Sequence, residues 1–334
     1  MTRRAWAARL DQAAWAYLLA LLAAWLTMYA GGDRWWPATM LLFGPRWTAM
    51  LPLAVLLPAT ALRGRRRGLL VLAAAAVVAI GPVAGVRIPW RRLIPAGAPA
   101  YSLRVLTCNC AGSLLRAGDL RELIARVRPD VVVLQEHRFT GDAEARWRSE
   151  GWETRYGERI CLLSRLPIVS YERLGRSDLD GQAVVARHEL LTPIGGLQLF
   201  GLQLTSPRDG LEAVRYGGWG GGAALQSNIE RRAAVAEKAG SWIARFGGPL
   251  LVAGDFNMTS DGAIYRRCFS GYANAFDDAG LGIGNTRFIP RLGFRVDHVL
   301  GGPGWSCRSC WVGPDVGSDH RPLIADWDWF EGDD

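Results

Sequence analysis

"LLVAGDFNMTSD", residues 250–261, runs four apolar residues and Gly254 straight into Asp255, with Asn257 two positions further on. A short apolar run of this kind reads as a buried strand. Ending it in a carboxylate and a carboxamide gives a packed support with polar groups at its rim. Rigid scaffolds hold binding and catalytic side chains in such places. On extended backbone, residues two apart project to one side, so Asp255 and Asn257 are expected to stand as a pair. An Asx-type turn closing the strand would fit "GDFN" alone about equally well, so the weight must come from the rest of the chain.

Around this stretch, β-rich runs recur: "LRVLTCN" (103–109), "DVVVLQE" (130–136), "QAVVARHEL" (182–190), "LQLFGLQLT" (197–205), "FRVDHVL" (294–300) and "HRPLIADW" (320–327). Helical periodicity separates some of them. Leu120, Leu123, Ile124 and Val127 follow the i, i+3, i+4, i+7 pattern, with Asp119 as a cap and Pro129 as a stop. In "SNIERRAAVAEKAGSWIARFGG", residues 227–248, Ser227 and Glu230 read as a capping box and Gly247 as a terminator. Strands mixed with helices over residues 103–330 predict one layered α/β domain. Its polar residues gather at strand ends: Asn109, Glu136, Asp255, Asn257, Asp297, Asp319 and His320.

The first hundred residues are of another kind. Residues 13–30 and 68–86 are apolar runs long enough to cross a bilayer core, and 47–62 is a shorter one interrupted by Pro52 and Pro58. None shows the polar face of a packed soluble helix. About three transmembrane helices are therefore expected in residues 1–86, followed by a Pro/Gly/Ala-rich tether over 87–102. Arg3, Arg4 and Arg9, and then Arg63 and Arg65–Arg67, should be cytoplasmic. Three crossings then place the later domain outside. The charge agrees with this division: residues 1–100 hold 12 Arg against Asp11 and Asp33, whereas the remainder holds 27 basic and 29 acidic residues. A nucleic-acid binder carries its basic footprint on the domain that reads the ligand, and this domain lacks it. Cys307 and Cys310 are close enough to pair in an oxidising compartment. A zinc site is the sharper reading of that C-x-x-C, but no second pair stands at ligand spacing. Cys161 and Cys268 read as lone buried thiols.

Six segments, "LRVLTCN", "PDVVVLQE", "LLSRLPI", "LVAGDFN", "RVDHVL" and "GSDHRPL", occur in this order across residues 103–327. Together they resemble the endonuclease/exonuclease/phosphatase superfamily, with its deoxyribonuclease-I-like fold. The N-terminal anchor resembles a bacterial membrane-bound subgroup associated with glycopeptide resistance. The resemblance implies a four-layer αββα sandwich of two mixed sheets, and phosphate ester or anhydride hydrolysis helped by Mg²⁺ or Mn²⁺. It implies Glu136 as the metal ligand, assisted by Asn109 and Asp319. Asp255 would position or deprotonate the attacking water, and Asn257 would donate to a phosphoryl oxygen. His320 would sit beside the phosphorus with its tautomer fixed by Asp297. His137, His188 and His298 are assigned to structural positions, and the alternative for Glu136 is a salt bridge with Arg138.

One position departs from the family pattern: where many members have His, this chain has Gln203, which donates a hydrogen bond but transfers no proton. A phosphate leaving group needs little protonation, so the exchange suits an anhydride better than an alkyl phosphodiester. The Gly-rich stretch 206–228 is expected as a long connection. In it Arg208 and Arg215 would hold a second phosphate, and Tyr216 and Trp219 would touch lipid; a mobile surface loop is the plain alternative. The function expected is that of a membrane-anchored phosphohydrolase. Its partners are the bilayer and a phosphorylated lipid of the polyprenyl pyrophosphate type. A tethered nuclease and a catalytically silent binding module of the same fold are the alternatives.

Overall fold

A computed structural model of the 334-residue chain describes residues 3–90, 97–112, 117–137, 141–289 and 292–331. The chain divides into two units, with the break between Val86 and Arg87.

The first unit is helical: α1 (Arg3–Gly31), α2 (Trp36–Leu42), α3 (Leu51–Ala61) and α4 (Arg66–Val78). Two helices are long and apolar enough to cross a membrane, Ala8–Gly31 and Arg66–Val83. The third expected span is not one straight helix. Trp36–Leu42 and Arg46–Ala61 form a pair bent by 75°, so the count is two, or three if the pair is one broken span. The break comes before Pro52 and Pro58, which sit at the start and in the interior of α3.

The second unit holds two six-stranded mixed sheets. Strands β1 (Tyr101–Asn109), β2 (Val131–Gln135), β3 (Glu153–Gly157) and β4 (Ile160–Ser164) form most of the first. The second is built from β5 (Ile168–Leu174), β6 (Val184–Thr192), β7 (Gly195–Gln203), β8 (Leu250–Asp255), β9 (Ala273–Asn274) and β12 (Asp297–Gly301). A separate hairpin, β10 (Arg287–Ile289) and β11 (Leu292–Phe294), precedes β12; β13 (Trp305–Val312) and β14 (Leu323–Trp329) then complete the first sheet. The orders are β13-β14-β1-β2-β4-β3 and β5-β6-β7-β8-β12-β9. Among the described residues only β1–β2 and β7–β8 pair in parallel.

Three apolar layers account for the strand sequences. Val105, Val133 and Leu162 of one sheet meet Ala186, Leu199, Leu251 and Val299 of the other. The outer face of the first sheet is covered by α5 (Ala117–Val127) and α6 (Gly141–Ser149), through Leu123, Ile124 and Trp147 against Leu106, Val132 and Leu134. Helix α8 (Gly222–Ile243) covers the second sheet, with Val235 and Trp242 against Phe200 and Val252. The central strands are thus buried on both faces, which is why they read as unbroken apolar runs rather than alternating ones. The architecture is the αββα sandwich expected.

Four local expectations are corrected. Residues 206–228 are not a loop: α7 (Arg208–Gly217) and a 3₁₀ turn lead directly into α8. Ser227 and Glu230 therefore lie inside α8 and form no capping box, because the helix has already begun at Gly222. Its end comes at Ile243, ahead of Gly247, and Gly248 takes the left-handed conformation (φ 82°). No disulfide forms among the described residues: a bulge between Cys307 and Ser309 turns Cys307 and Cys310 both into the inter-sheet core. Arg138, and residues 91–96 of the tether, lie outside the described residues.

Candidate active site at the mouth of the two sheets

The two parallel strand pairs open on the same rim. Asn109 ends β1, Glu136 follows β2, and Gln203 and Asp255 end β7 and β8 in register with each other. Strands that run the opposite way enter there. Asp297 begins β12 opposite Asp255, and His320 precedes β14.

Two amide–carboxylate bonds cross between the sheets. Asn109 Nδ2 donates to Asp255 Oδ2 at 2.9 Å, and Gln203 Nε2 donates to Glu136 Oε1. Each sheet contributes one amide and one carboxylate, so the rim is braced reciprocally. Glu136 and Asn257 both sit at positive φ, 54° and 52°. For a non-glycine residue this conformation costs energy that the surroundings must hold. Asn257 is therefore not paired with Asp255 by strand alternation, as expected. The chain turns, and its amide comes back: Nδ2 donates to Leu204 O at 2.8 Å and to Asp255 Oδ2 at 3.1 Å, while its backbone N–H donates to Asp255 Oδ1 at 2.9 Å. Asn257 thus holds Asp255 with its backbone N–H and its amide, which is itself anchored on Leu204 O.

His320 and Asp297 form a buried pair, Nδ1 to Oδ2 at 2.8 Å. Burial alone would lower the imidazole, but Asp297 and Asp255 outweigh it and raise His320 to about 9. Burial, then Asp297, lift Asp255 to about 6 against the opposing pull of His320. His320 Nε2 stands 3.9 Å from Asp255 Oδ2. That is beyond hydrogen-bond reach, and a single oxygen bridging the two would sit to one side of them.

The donor set suits a hard cation. Glu136 and Asp255 offer carboxylate oxygens, and the buried oxygens Gln203 Oε1 and Asp297 Oδ1 have no hydrogen-bond partner. Asp255, Asp297 and His320 have ligand atoms within 4.8 Å of one another. Asp297 holds the Nδ1 of His320, so its Nε2 is the nitrogen that faces this group. Glu136, on the other sheet, offers a further carboxylate to a divalent cation at this rim.

The structure brings seven expected residues into this network: Asn109, Glu136, Gln203, Asp255, Asn257, Asp297 and His320. Asp319 is beside it, 3.7 Å from Arg287. Arg208 pairs with Glu212 along α7 at 2.8 Å, and Arg215 is exposed with its guanidinium over Tyr216. Arg208 also feels the charge of Asp319. Glu136 has Arg159 at 3.9 Å as its ion-pair partner. His188 and His298 are buried as expected; burial first lowers them, to about 3 and about 4.

Several supporting residues escaped the sequence. Thr286 Oγ1 accepts the backbone N–H of Asp297 at 3.1 Å, and Ser318 Oγ donates to Asn109 O at 2.8 Å. Arg232, fully buried in α8, donates to Asn257 O at 2.9 Å. None carries a local motif; only Arg232, a charge on the apolar face of its helix, left a signal.

Residues 106–320 match the model of the Endonuclease/Exonuclease/phosphatase family. No curated protein matches the chain in sequence. Solved structures share its fold. Humanized TDP2 of D. rerio is 15% identical (TM-score 0.52), covering 68% of this chain and 99% of its own. A 3′ phosphatase from Neisseria bound to a product DNA hairpin is 19% identical (TM-score 0.51), covering 68% and 100%. An AP endonuclease from Archaeoglobus fulgidus is 14% identical (TM-score 0.52), covering 67% and 98%.

Proposed function

The chain belongs to the endonuclease/exonuclease/phosphatase family, and from that premise we propose that it is a membrane-anchored, metal-dependent phosphohydrolase. We place its action outside the cytoplasmic membrane, on a lipid-linked phosphate or pyrophosphate of the polyprenyl type. The observation that carries the lipid reading is the pairing within one chain of apolar helices of membrane-spanning length with a catalytic domain, residues 101–334, that holds no basic excess. Anchoring raises the effective concentration of a lipid substrate at the site. Tyr216 and Trp219, 78% and 84% exposed at the α7–α8 junction, suit contact with an apolar chain.

In this reading Asp255 takes a proton from the attacking water while the water oxygen bonds to phosphorus. Protonated His320, held by Asp297, faces the phosphoryl oxygens and stabilises the charge they gain. Asn257 keeps Asp255 oriented. The P–O bond to the leaving phosphate breaks, and that group departs as an anion with no acid required of Gln203. Glu136, with Asn109 and Asp319, would hold Mg²⁺ or Mn²⁺, and such an ion would supply charge neutralisation for the substrate phosphate.

A nuclease reading has its own support in the resemblance to the DNA-bound Neisseria phosphatase. Phosphate release from prenyl pyrophosphate, phospholipid and DNA, with and without EDTA, separates the readings. EDTA-sensitive release from the prenyl substrate is expected. DNA cleavage without lipid turnover establishes the nuclease instead, and no metal-dependent release from any substrate leaves a silent binding module.

A further inference from the structure

The hairpin β10–β11 lies as an added strand along the segment that carries His320. Phe288 N donates to Asp319 O at 2.7 Å and Arg321 N to Thr286 O at 2.6 Å, so Arg287 faces His320 across an antiparallel bridge. Directly opposed residues of such a pair send their side chains to the same face. Arg287 and His320 are therefore neighbouring side chains at the rim.

His320 has Asp297 hydrogen-bonded to it. Arg287 has no such partner: Asp319 is 3.7 Å away and substantially exposed, and Arg287 Nε is buried without a hydrogen bond among the described residues. Two other buried guanidiniums make side-chain hydrogen bonds, although Arg295 Nη1 also lacks a partner among the described residues. Arg187 donates to Gln198 at 2.6 Å and Glu172 at 2.8 Å, and Arg295 donates to Ser260 at 2.8 Å and Asp277 at 2.7 Å. Arg287 is thus held rigidly by its backbone while its planar donor fork is left for something outside the protein. Guanidinium matches phosphate oxygens two at a time.

We propose that Arg287 receives the second phosphoryl group of a diphosphate substrate, the first lying against Asp255 and His320, and so selects diphosphates over monophosphates. The substrate class rests on the phosphohydrolase reading above. The anion site itself does not.

The test uses the full-length protein in detergent at saturating magnesium, titrated calorimetrically with inorganic pyrophosphate and with orthophosphate. Wild type is expected to bind pyrophosphate at least about tenfold more tightly, the size of one charge-assisted contact. Arg287→Gln should erase that difference while leaving orthophosphate affinity within about twofold, and Arg287→Lys should keep part of it. Equal affinities in wild type, or a preference that survives Arg287→Gln, overturn the proposal. The wild-type comparison stands even where a variant misfolds. Phosphate release from a prenyl pyrophosphate is measured alongside: its absence, with an Arg287-dependent pyrophosphate preference intact, removes the lipid substrate and keeps the site.

Discussion

Asp255 and His320 carry opposite requirements, and their environment sets the pH range in which both are met. Asp255 must be ionised to accept a proton, and burial with Asp297 nearby holds it at about 6. His320 must keep its proton, which the two carboxylates allow up to about 9. Activity should therefore rise through pH 6 and fall through pH 9, with both limbs belonging to the coupled group. Asp297→Asn removes the largest force holding the proton on His320. The alkaline limb should then move down by more than one pH unit, and kcat should fall by roughly 10²–10⁴; a limb that stays near 9 would mean His320 is not the group observed. The stability linkage has a definite sign. The folded pKa lies above the unfolded value, so the contribution is complete below about pH 6.5 and is lost as pH rises through 9. Gln203 gives a second residue-level prediction. Because it braces Glu136 and moves no proton, Gln203→His should favour an alkyl phosphodiester over an anhydride by at least about tenfold, read as the ratio of kcat/KM values. An unchanged ratio would detach this position from leaving-group chemistry. The charged members of the site were readable in the sequence because each closes or opens an apolar strand. Arg287 and Thr286 were not, since they act from a hairpin three residues to a side whose position depends on tertiary pairing with Asp319–Arg321.

At the level of elements, strands buried on both faces announce themselves, and glycine-rich helices do not. Residues 206–228 contain six glycines, which helix propensity alone marks as a connection. The packing accounts for two of them, Gly210 and Gly221. A Cβ at Gly210 would stand 2.8 Å from Leu225, and one at Gly221 would collide with the backbone carbonyl of Ala213. The glycines let α7 fold back closely on α8, and tertiary contact overrides propensity. Two adjacent positions separate this cause from conformational freedom. Gly221→Ala must push Ala213 away and should cost about 1–3 kcal/mol, lowering the melting temperature of the detergent-solubilised protein by several degrees. Gly220→Ala meets nothing within 4 Å and should stay within about 0.5 kcal/mol. Equal melting temperatures for the two variants would show that the α7–α8 junction yields freely.

For the whole molecule, the decisive quantity is the parity of crossings in the first unit, which composition alone leaves open. Two helices qualify outright, and a 75° bend divides the third candidate. The bent pair, if it crosses, returns the chain to the side from which it began. Arg63 and Arg65–Arg67 then share a side with the N-terminal arginines, in keeping with the preference for cytoplasmic Lys and Arg. If instead the pair dips in and turns back, that cluster of four arginines is stranded outside, against the same preference. The charge argument therefore favours a broken span, three crossings and an outer catalytic unit. Paired fusions decide it. With alkaline phosphatase and green fluorescent protein placed in turn at the C-terminus, the expected result is an active phosphatase and a dark fluorophore, and the same pair inserted in the Arg63–Arg67 loop should give the opposite. A fluorescent C-terminus would mean an even number of crossings and a catalytic site facing the cytoplasm. A lipid headgroup on the inner leaflet would then be the phosphate within reach, and the outward-facing substrate would have to be given up.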